Sequence, residues 1–115
     1  MLEGKVMKGS GRGGEMGIHT INIPYKGEDS GVFVGKVLIK GEWLLAAINL
    51  GGRPTFDDKK FCEVHVVDWK GHVALGTKID VQVFEKIRDI EKFEDADALK
   101  KQIKKDIQFA RDWAG

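Results

Sequence analysis

Gly31-Val-Phe-Val-Gly-Lys-Val-Leu-Ile39, then Lys40-Gly41, then Glu42-Trp-Leu-Leu-Ala-Ala-Ile-Asn49 form one unbroken stretch, and the fold turns on how it is read. The first run is apolar and β-branched, the composition that fits a pleated, half-buried surface. Lys40-Gly41 supplies a tight turn between two such runs, so the stretch reads as an antiparallel hairpin. Gly51-Gly52-Arg53-Pro54 ends it.

Working outward toward the C-terminus, Phe61-Cys-Glu-Val-His-Val-Val-Asp68 reads as the next strand. Alternation puts Cys62, Val64 and Val66 on one face, and Phe61, Glu63, His65 and Val67 on the other. Ile79 to Ile87 alternates more cleanly, with Ile79, Val81 and Val83 facing inward. After it the period changes. Ala96, Leu99, Ile103, Ile107 and Ala110 recur at three and four residues, the stripe of an amphipathic helix. Asp95 is placed to cap it, and Asp97 lies in its positive first turn. Toward the N-terminus, Thr20-Ile-Asn-Ile-Pro24 reads as extended, and residues 9 to 17 form a glycine-dense loop. Several short strands followed by one terminal helix predict an all-β fold: a compact antiparallel barrel with a C-terminal α-helix packed against it.

The chain has 115 residues, which predicts one domain over 1–115 with enough length to bury a core. Lys and Arg number 19 against 18 Asp and Glu, so no global field draws nucleic acid or an anionic membrane, and anion recognition must be local. No apolar run approaches the length that spans a bilayer. Met1-Leu2-Glu3-Gly4-Lys5 carries an acid and a glycine where a signal peptide needs an apolar stretch. The lone Cys62 has no internal disulfide partner. These features lead to the expectation of a cytoplasmic monomer with no nucleic-acid or membrane partner.

Chemistry can sit in a few places. The loop carrying Gly9, Gly11, Arg12, Gly13 and Gly17 is no Walker A loop, because no Gly-Lys-Ser/Thr closes it. It is no dinucleotide fingerprint either, because an extended segment follows where a helix is needed. A backbone nest for a polyphosphate remains, with Arg12 among its N–H groups, beside a plain surface loop, which glycine density alone favours. Thr20 and Asn22, two apart on an extended segment, point the same way. A hydroxyl and an amide there can hold Mg²⁺ beside phosphates, or be the polar face of a strand, and spacing alone does not decide. Glu63, a carboxylate between apolar neighbours, suits a general base or an ion pair with Arg53 or Arg88. His19, His65 and His72 lack zinc-site spacing. Cys62 and His65 fall on opposite strand faces, which speaks against a nucleophile pair. Trp43, Trp69 and Trp113 fit packing better than base stacking, and Lys100, Lys101, Lys104 and Lys105 fit the solvated side of the helix.

Taken in order, these segments resemble the riboflavin kinase family. Residues 9–17 match its glycine-arginine-glycine loop, and Gly17-Ile-His-Thr-Ile-Asn22 its Gly-Phe-Pro-Thr-Ala-Asn segment. Asn49-Leu-Gly-Gly-Arg-Pro-Thr-Phe56 is similar to its Asn-Ile-Gly-x-Arg-Pro-Thr-Phe signature, and Glu63-Val-His65 to its Glu-x-His strand. Arg88-Asp89, Lys92-Phe93 and the run Leu99, Gln102, Ile103, Asp106, Ile107, Ala110, Arg111 follow its closing pattern. The resemblance covers roughly residues 3 to 112. It implies a six-stranded Greek-key barrel with a terminal helix, and transfer of the ATP γ-phosphoryl group to riboflavin, giving FMN and ADP. It assigns Glu63 as general base, Thr20 and Asn22 to Mg²⁺ and the nucleotide phosphates, the loop from Gly9 to Gly17 as their cover, and Arg88 to the flavin side. The length leaves no room for the FAD-synthesising nucleotidyltransferase domain fused to many bacterial relatives, so the chain reads as either a stand-alone kinase or an excised domain. Three departures stand out: Ile18 for phenylalanine, His19 for proline and Ile21 for alanine. They leave a catalytically degenerate flavin- or nucleotide-binding module as the alternative.

Overall fold

The computed structural model describes residues 2–7, 20–52, 60–69 and 71–115. Gly9, Gly11, Arg12, Gly13, Gly17, Ile18, His19 and Arg53 lie outside them. Six strands and a terminal helix follow one another: β1 (Leu2–Lys5), β2 (Thr20–Pro24), β3 (Gly31–Ile39), β4 (Glu42–Gly52), β5 (Lys60–Val66), β6 (Lys78–Arg88) and α1 (Ala96–Ala114). The strands form one antiparallel sheet in the order β1-β6-β3-β4-β5-β2. The two edges then meet, because Met7 just past β1 bridges to Asn22 of β2, its amide donating to the Asn22 carbonyl at 2.8 Å. The result is the nearly closed barrel with a C-terminal helix that the sequence led us to expect.

The hairpin that decided the fold is present as read, with Gly31 opposite Leu50 and Ile39 opposite Glu42. Lys40 and Gly41 turn with φ of 50° and 79°, both in the left-handed region that a two-residue hairpin loop of type I′ demands. β4 runs on to Gly52, beyond the expected Asn49, because β5 continues to pair with it through Leu50–Cys62, Gly51–Phe61 and Gly52–Lys60. β5 stops at Val66, short of the expected Asp68, which adopts a positive φ of 53° in the following turn. β1 was not foreseen. Its four residues carry one large apolar side chain, and pairing with β6 makes them a strand.

Inside the barrel Ile21, Ile23, Val37, Ile39, Ala46, Ile48, Leu50, Cys62, Val64, Val66, Ile79 and Val81 form a continuous core, with Val83 partly buried against it. Burial pushes the Cys62 thiol up to about 12, with the nearby Glu63 carboxylate adding to the shift, so this sulfur stays protonated and unreactive. At Gly35 a Cβ would collide with the Gln82 carbonyl and the Ile48 side chain, so only glycine allows β3 and β6 to approach beside the bulge there.

A second apolar layer lies outside the barrel. Val32, Val34 and Ala47 alternate away from the interior, yet are 2%, 0% and 0% exposed, because α1 packs over β3 and β4. From α1 this layer receives Ile103, Asp106 and Ala110; Leu99 and Ile107 of the expected stripe are only half-buried, and Ala96 is exposed. The Asp95 side chain accepts a hydrogen bond from the Ala98 amide at 2.8 Å, the cap expected from the sequence. No helix among the described residues is long and apolar enough to cross a membrane.

Candidate functional site

Strand register assembles the site. Residues directly opposite in an antiparallel pair present their side chains on the same face, with Cα atoms about 4.5–5.5 Å apart. Asn22 of β2 stands opposite Glu63 of β5, Glu63 opposite Asn49 of β4, Asn49 opposite Val32 of β3, and Val32 opposite Arg88 of β6. One rung across five strands therefore carries three of the residues singled out from the sequence, Asn22, Glu63 and Arg88. The neighbouring rung on the same face holds Thr20, His65, Ala47 and Val34. Cys62 points into the barrel and His65 out of it, as alternation required, so the two do not form a reactive pair.

Thr20 Oγ1 lies 3.1 Å from His65 Nδ1. His65 is only 6% exposed, and its imidazole titrates below the ordinary 6.5. Desolvation is the main cause; the Arg88 guanidinium adds to it, while the Glu63 and Asp106 carboxylates oppose it. Thr20 is half-buried, Asn22 is 6% exposed and Glu63 is half-buried. Ile21, the bulkier replacement for the expected alanine, points into the core at 5% exposure and so does not stand between Thr20 and Asn22.

Arg88, the last residue of β6, is tied to α1. Its Nε and Nη2 donate to the two carboxylate oxygens of Asp106, each at 3.0 Å, and its Nη1 donates to the Asp89 carbonyl at 2.9 Å. Gln102 Nε2 donates to Asp106 from one turn earlier, at 3.1 Å, and the Phe93 ring lies 5.7 Å from the guanidinium carbon. With Asp106 just 3% exposed, this bidentate pair is the polar pin of the helix–barrel layer. Arg88 is thus paired with Asp106, which sequence reasoning never weighed: it considered Glu63 for Arg88 and placed Asp106 only within a helix pattern. The signal was there, since a charged residue stands inside the apolar stripe of α1 at Asp106.

No group of three or more His, Cys, Asp or Glu among the described residues is arranged to hold a metal. Among the oxygen donors on this face are the Thr20 hydroxyl and the Asn22 amide, hard and uncharged, with the Asn49 amide and the Glu63 carboxylate in the same rung as Asn22. The glycine loop and Arg12, expected to wrap phosphates, lie outside the described residues, as does Arg53, the other partner considered for Glu63.

Comparison with known proteins supplies the remaining finding. A family model described as riboflavin kinase (flavokinase) matches residues 1–114. The RNA-binding riboflavin kinase RibR of Bacillus subtilis is 32% identical over 111 residues, covering 93% of this chain and 48% of that protein. The bifunctional riboflavin kinase/FMN adenylyltransferase of Escherichia coli K12 is 35% identical over 122 aligned positions, covering 99% of this chain and 38% of that protein. Among solved structures, one described as a macrolide-efflux protein from Streptococcus pneumoniae superposes with a TM-score of 0.84 at 30% identity, over 96% of this chain and 38% of that one. The chain therefore spans less than half the length of each of these relatives.

Proposed function

The chain belongs to the riboflavin kinase family, and on that premise we propose that it transfers the γ-phosphoryl group of ATP to the 5′-hydroxyl of riboflavin, giving FMN and ADP. The observation that carries this reading is the rung in which Asn22 faces Glu63, with Thr20 one rung away on the same side of the sheet. A carboxylate to take the alcohol proton and oxygen donors suited to a hard cation then share one face, and both are parts that phosphoryl transfer to an alcohol uses.

Glu63 acts as general base. A primary alcohol is a poor nucleophile at neutral pH, and a positioned carboxylate that takes its proton as the new O–P bond forms contributes about 10²–10⁴ in rate. The bond from the γ-phosphorus to the bridging oxygen of ADP breaks as that bond forms, so Glu63 holds the proton and ADP carries the leaving charge. Thr20 and Asn22 are the residues that would hold Mg²⁺ beside the phosphates. The donor set fits, because this ion keeps few protein ligands and prefers oxygen. When bound, the ion neutralises charge on the phosphates. Backbone amides of the loop carrying Gly9, Gly11, Gly13 and Gly17, with Arg12, wrap those phosphates. Arg88 acts on the flavin side by anchoring the segment from Asp89 to Phe93.

The test is FMN formation from riboflavin and ATP, followed by chromatography with Mg²⁺, Mn²⁺ or Zn²⁺ present. The expected result is turnover in wild type and a loss of about 10²–10⁴-fold in Glu63→Gln, with quenching of riboflavin fluorescence retained in both. Quenching without FMN under every metal would replace this reading with a flavin-binding module. Full turnover by Glu63→Gln would remove Glu63 from the base role.

A further inference from the structure

The contact between His65 and Thr20 has no part in the proposed chemistry as described so far, yet it touches the hydroxyl on which metal binding depends. We infer that His65 is a positioning residue: its Nδ1 accepts the Thr20 hydroxyl proton and so turns the oxygen lone pairs toward the metal–phosphate side. The inference rests on the reading of Thr20 as a metal-holding residue.

The physical case begins with the freedom of a threonine side chain. Thr20 begins β2 and its χ1 has three staggered wells, which aim Oγ1 in three directions. A hydroxyl offers one donor and two lone pairs. Left to itself, the hydroxyl spends part of its time with its proton pointed at an approaching cation, which repels it. A fixed acceptor removes that freedom. His65 Nδ1 stands 3.1 Å from Oγ1, within hydrogen-bond range, on the residue directly opposite in the β2–β5 ladder.

The ring is itself held in place. It lies next to the end of β5, 6% exposed, with Ala47 opposite on β4. A methyl group at that position leaves room for an imidazole beside it. Coordination to a cation draws electrons from a hydroxyl and makes it a better donor, so the bond to Nδ1 strengthens when the metal binds. An outer partner of this kind is typically worth about 10–100-fold in metal affinity or activity. Its identity matters. In asparagine, Oδ1 hangs from Cγ as Nδ1 does in histidine and keeps an acceptor there; in leucine a methyl takes the place.

Two measurements test it. In the metal-free wild-type protein, ¹⁵N NMR of the imidazole should find His65 protonated on Nε2, with Nδ1 as acceptor; a proton on Nδ1 would overturn the inference without any variant. In variants, Mn²⁺ binding in the presence of ADP is followed by electron paramagnetic resonance, and the Mg²⁺ dependence of FMN formation beside it. His65→Leu should weaken Mn²⁺ binding and raise the Mg²⁺ requirement by about ten-fold or more while leaving riboflavin quenching unchanged, and His65→Asn should restore most of the loss. In a Thr20→Ala background His65→Leu should add nothing. If Thr20→Ala shifts metal binding and His65→Leu does not, the inference fails and the metal reading stands. If Thr20→Ala itself leaves metal binding unchanged, the metal reading fails, and the inference falls with it. Should His65→Leu not fold, the NMR assignment and the Asn variant against wild type decide.

Discussion

Ile21 and Ile23 of β2 and Cys62, Val64 and Val66 of β5 face the barrel interior, each 5% exposed or less. Thr20 and Asn22, with Glu63 and His65, lie one residue out of step on the same two strands and face outward. The inner set holds together by area removed from water, which any apolar neighbour of suitable shape supplies. The outer set works only in specific pairs: Thr20 with His65 and, further along the face, Arg88 with Asp106. One strand pair therefore carries two different kinds of constraint, and they should fail differently.

The largest effect is expected where an outer-face pair is charged and its carboxylate is buried. Asp106→Ala leaves the Arg88 guanidinium beneath α1 without its carboxylate, a kind of change that typically costs about 3–5 kcal/mol. Urea unfolding should show this as a lower midpoint. The double change Arg88→Met with Asp106→Leu, which removes both charges, should recover much of the loss. Equal loss in the single and double variants would mean that the pair is held for its shape and not for its charge balance.

Next comes a direct contrast between adjacent residues of β2. Ile23 is 0% exposed in the core, and Ile23→Ala should cost about 2–5 kcal/mol while the folded fraction keeps its turnover and metal requirement. Asn22→Ala removes a small amide and little apolar surface, so it should cost less stability than Ile23→Ala and yet lose most FMN formation. If Ile23→Ala changed the metal requirement as strongly as Asn22→Ala, the two faces would not be separable in function.

The same contrast explains what could be read from the sequence. The inner face was legible because it obeys a local rule: alternation gave Cys62, Val64 and Val66 one side and Glu63 and His65 the other, and the β3–β4 hairpin announced itself at Lys40-Gly41. The terminal helix and its Asp95 cap were equally local. The outer face is built by register, which no single strand encodes. That Asn22 lies opposite Glu63, and Arg88 three strands further along the same rung, depends on pairings between residues 41 and 56 positions apart in the chain. Arg88 finding Asp106 needed α1 to be laid across β3 and β4, so the sequence offered only an odd acid in an apolar stripe. β1 was missed for the same reason, since it exists through its partner β6.

The smallest expected effect concerns a buried imidazole on the outer face, that of His65. The folded protein holds the His65 imidazole below its ordinary 6.5, chiefly by burial, so on acidification the unfolded chain takes up a proton before the folded one does. Stability is then greatest above about pH 6.5 and falls as the pH drops below it, until the folded state is protonated too. The two aspartates held low by Lys86 and Arg111, Asp89 and Asp68, work in the same direction, but only below about the ordinary 3.8, so the window between belongs to His65. Melting of the metal-free protein between about pH 7.5 and about pH 5 should therefore show a falling midpoint in wild type and a flatter one in His65→Asn. Parallel slopes in the two proteins would mean that the ring opens to solvent without cost. The outer face would then lack the enforced burial that sets its pairs apart from the core.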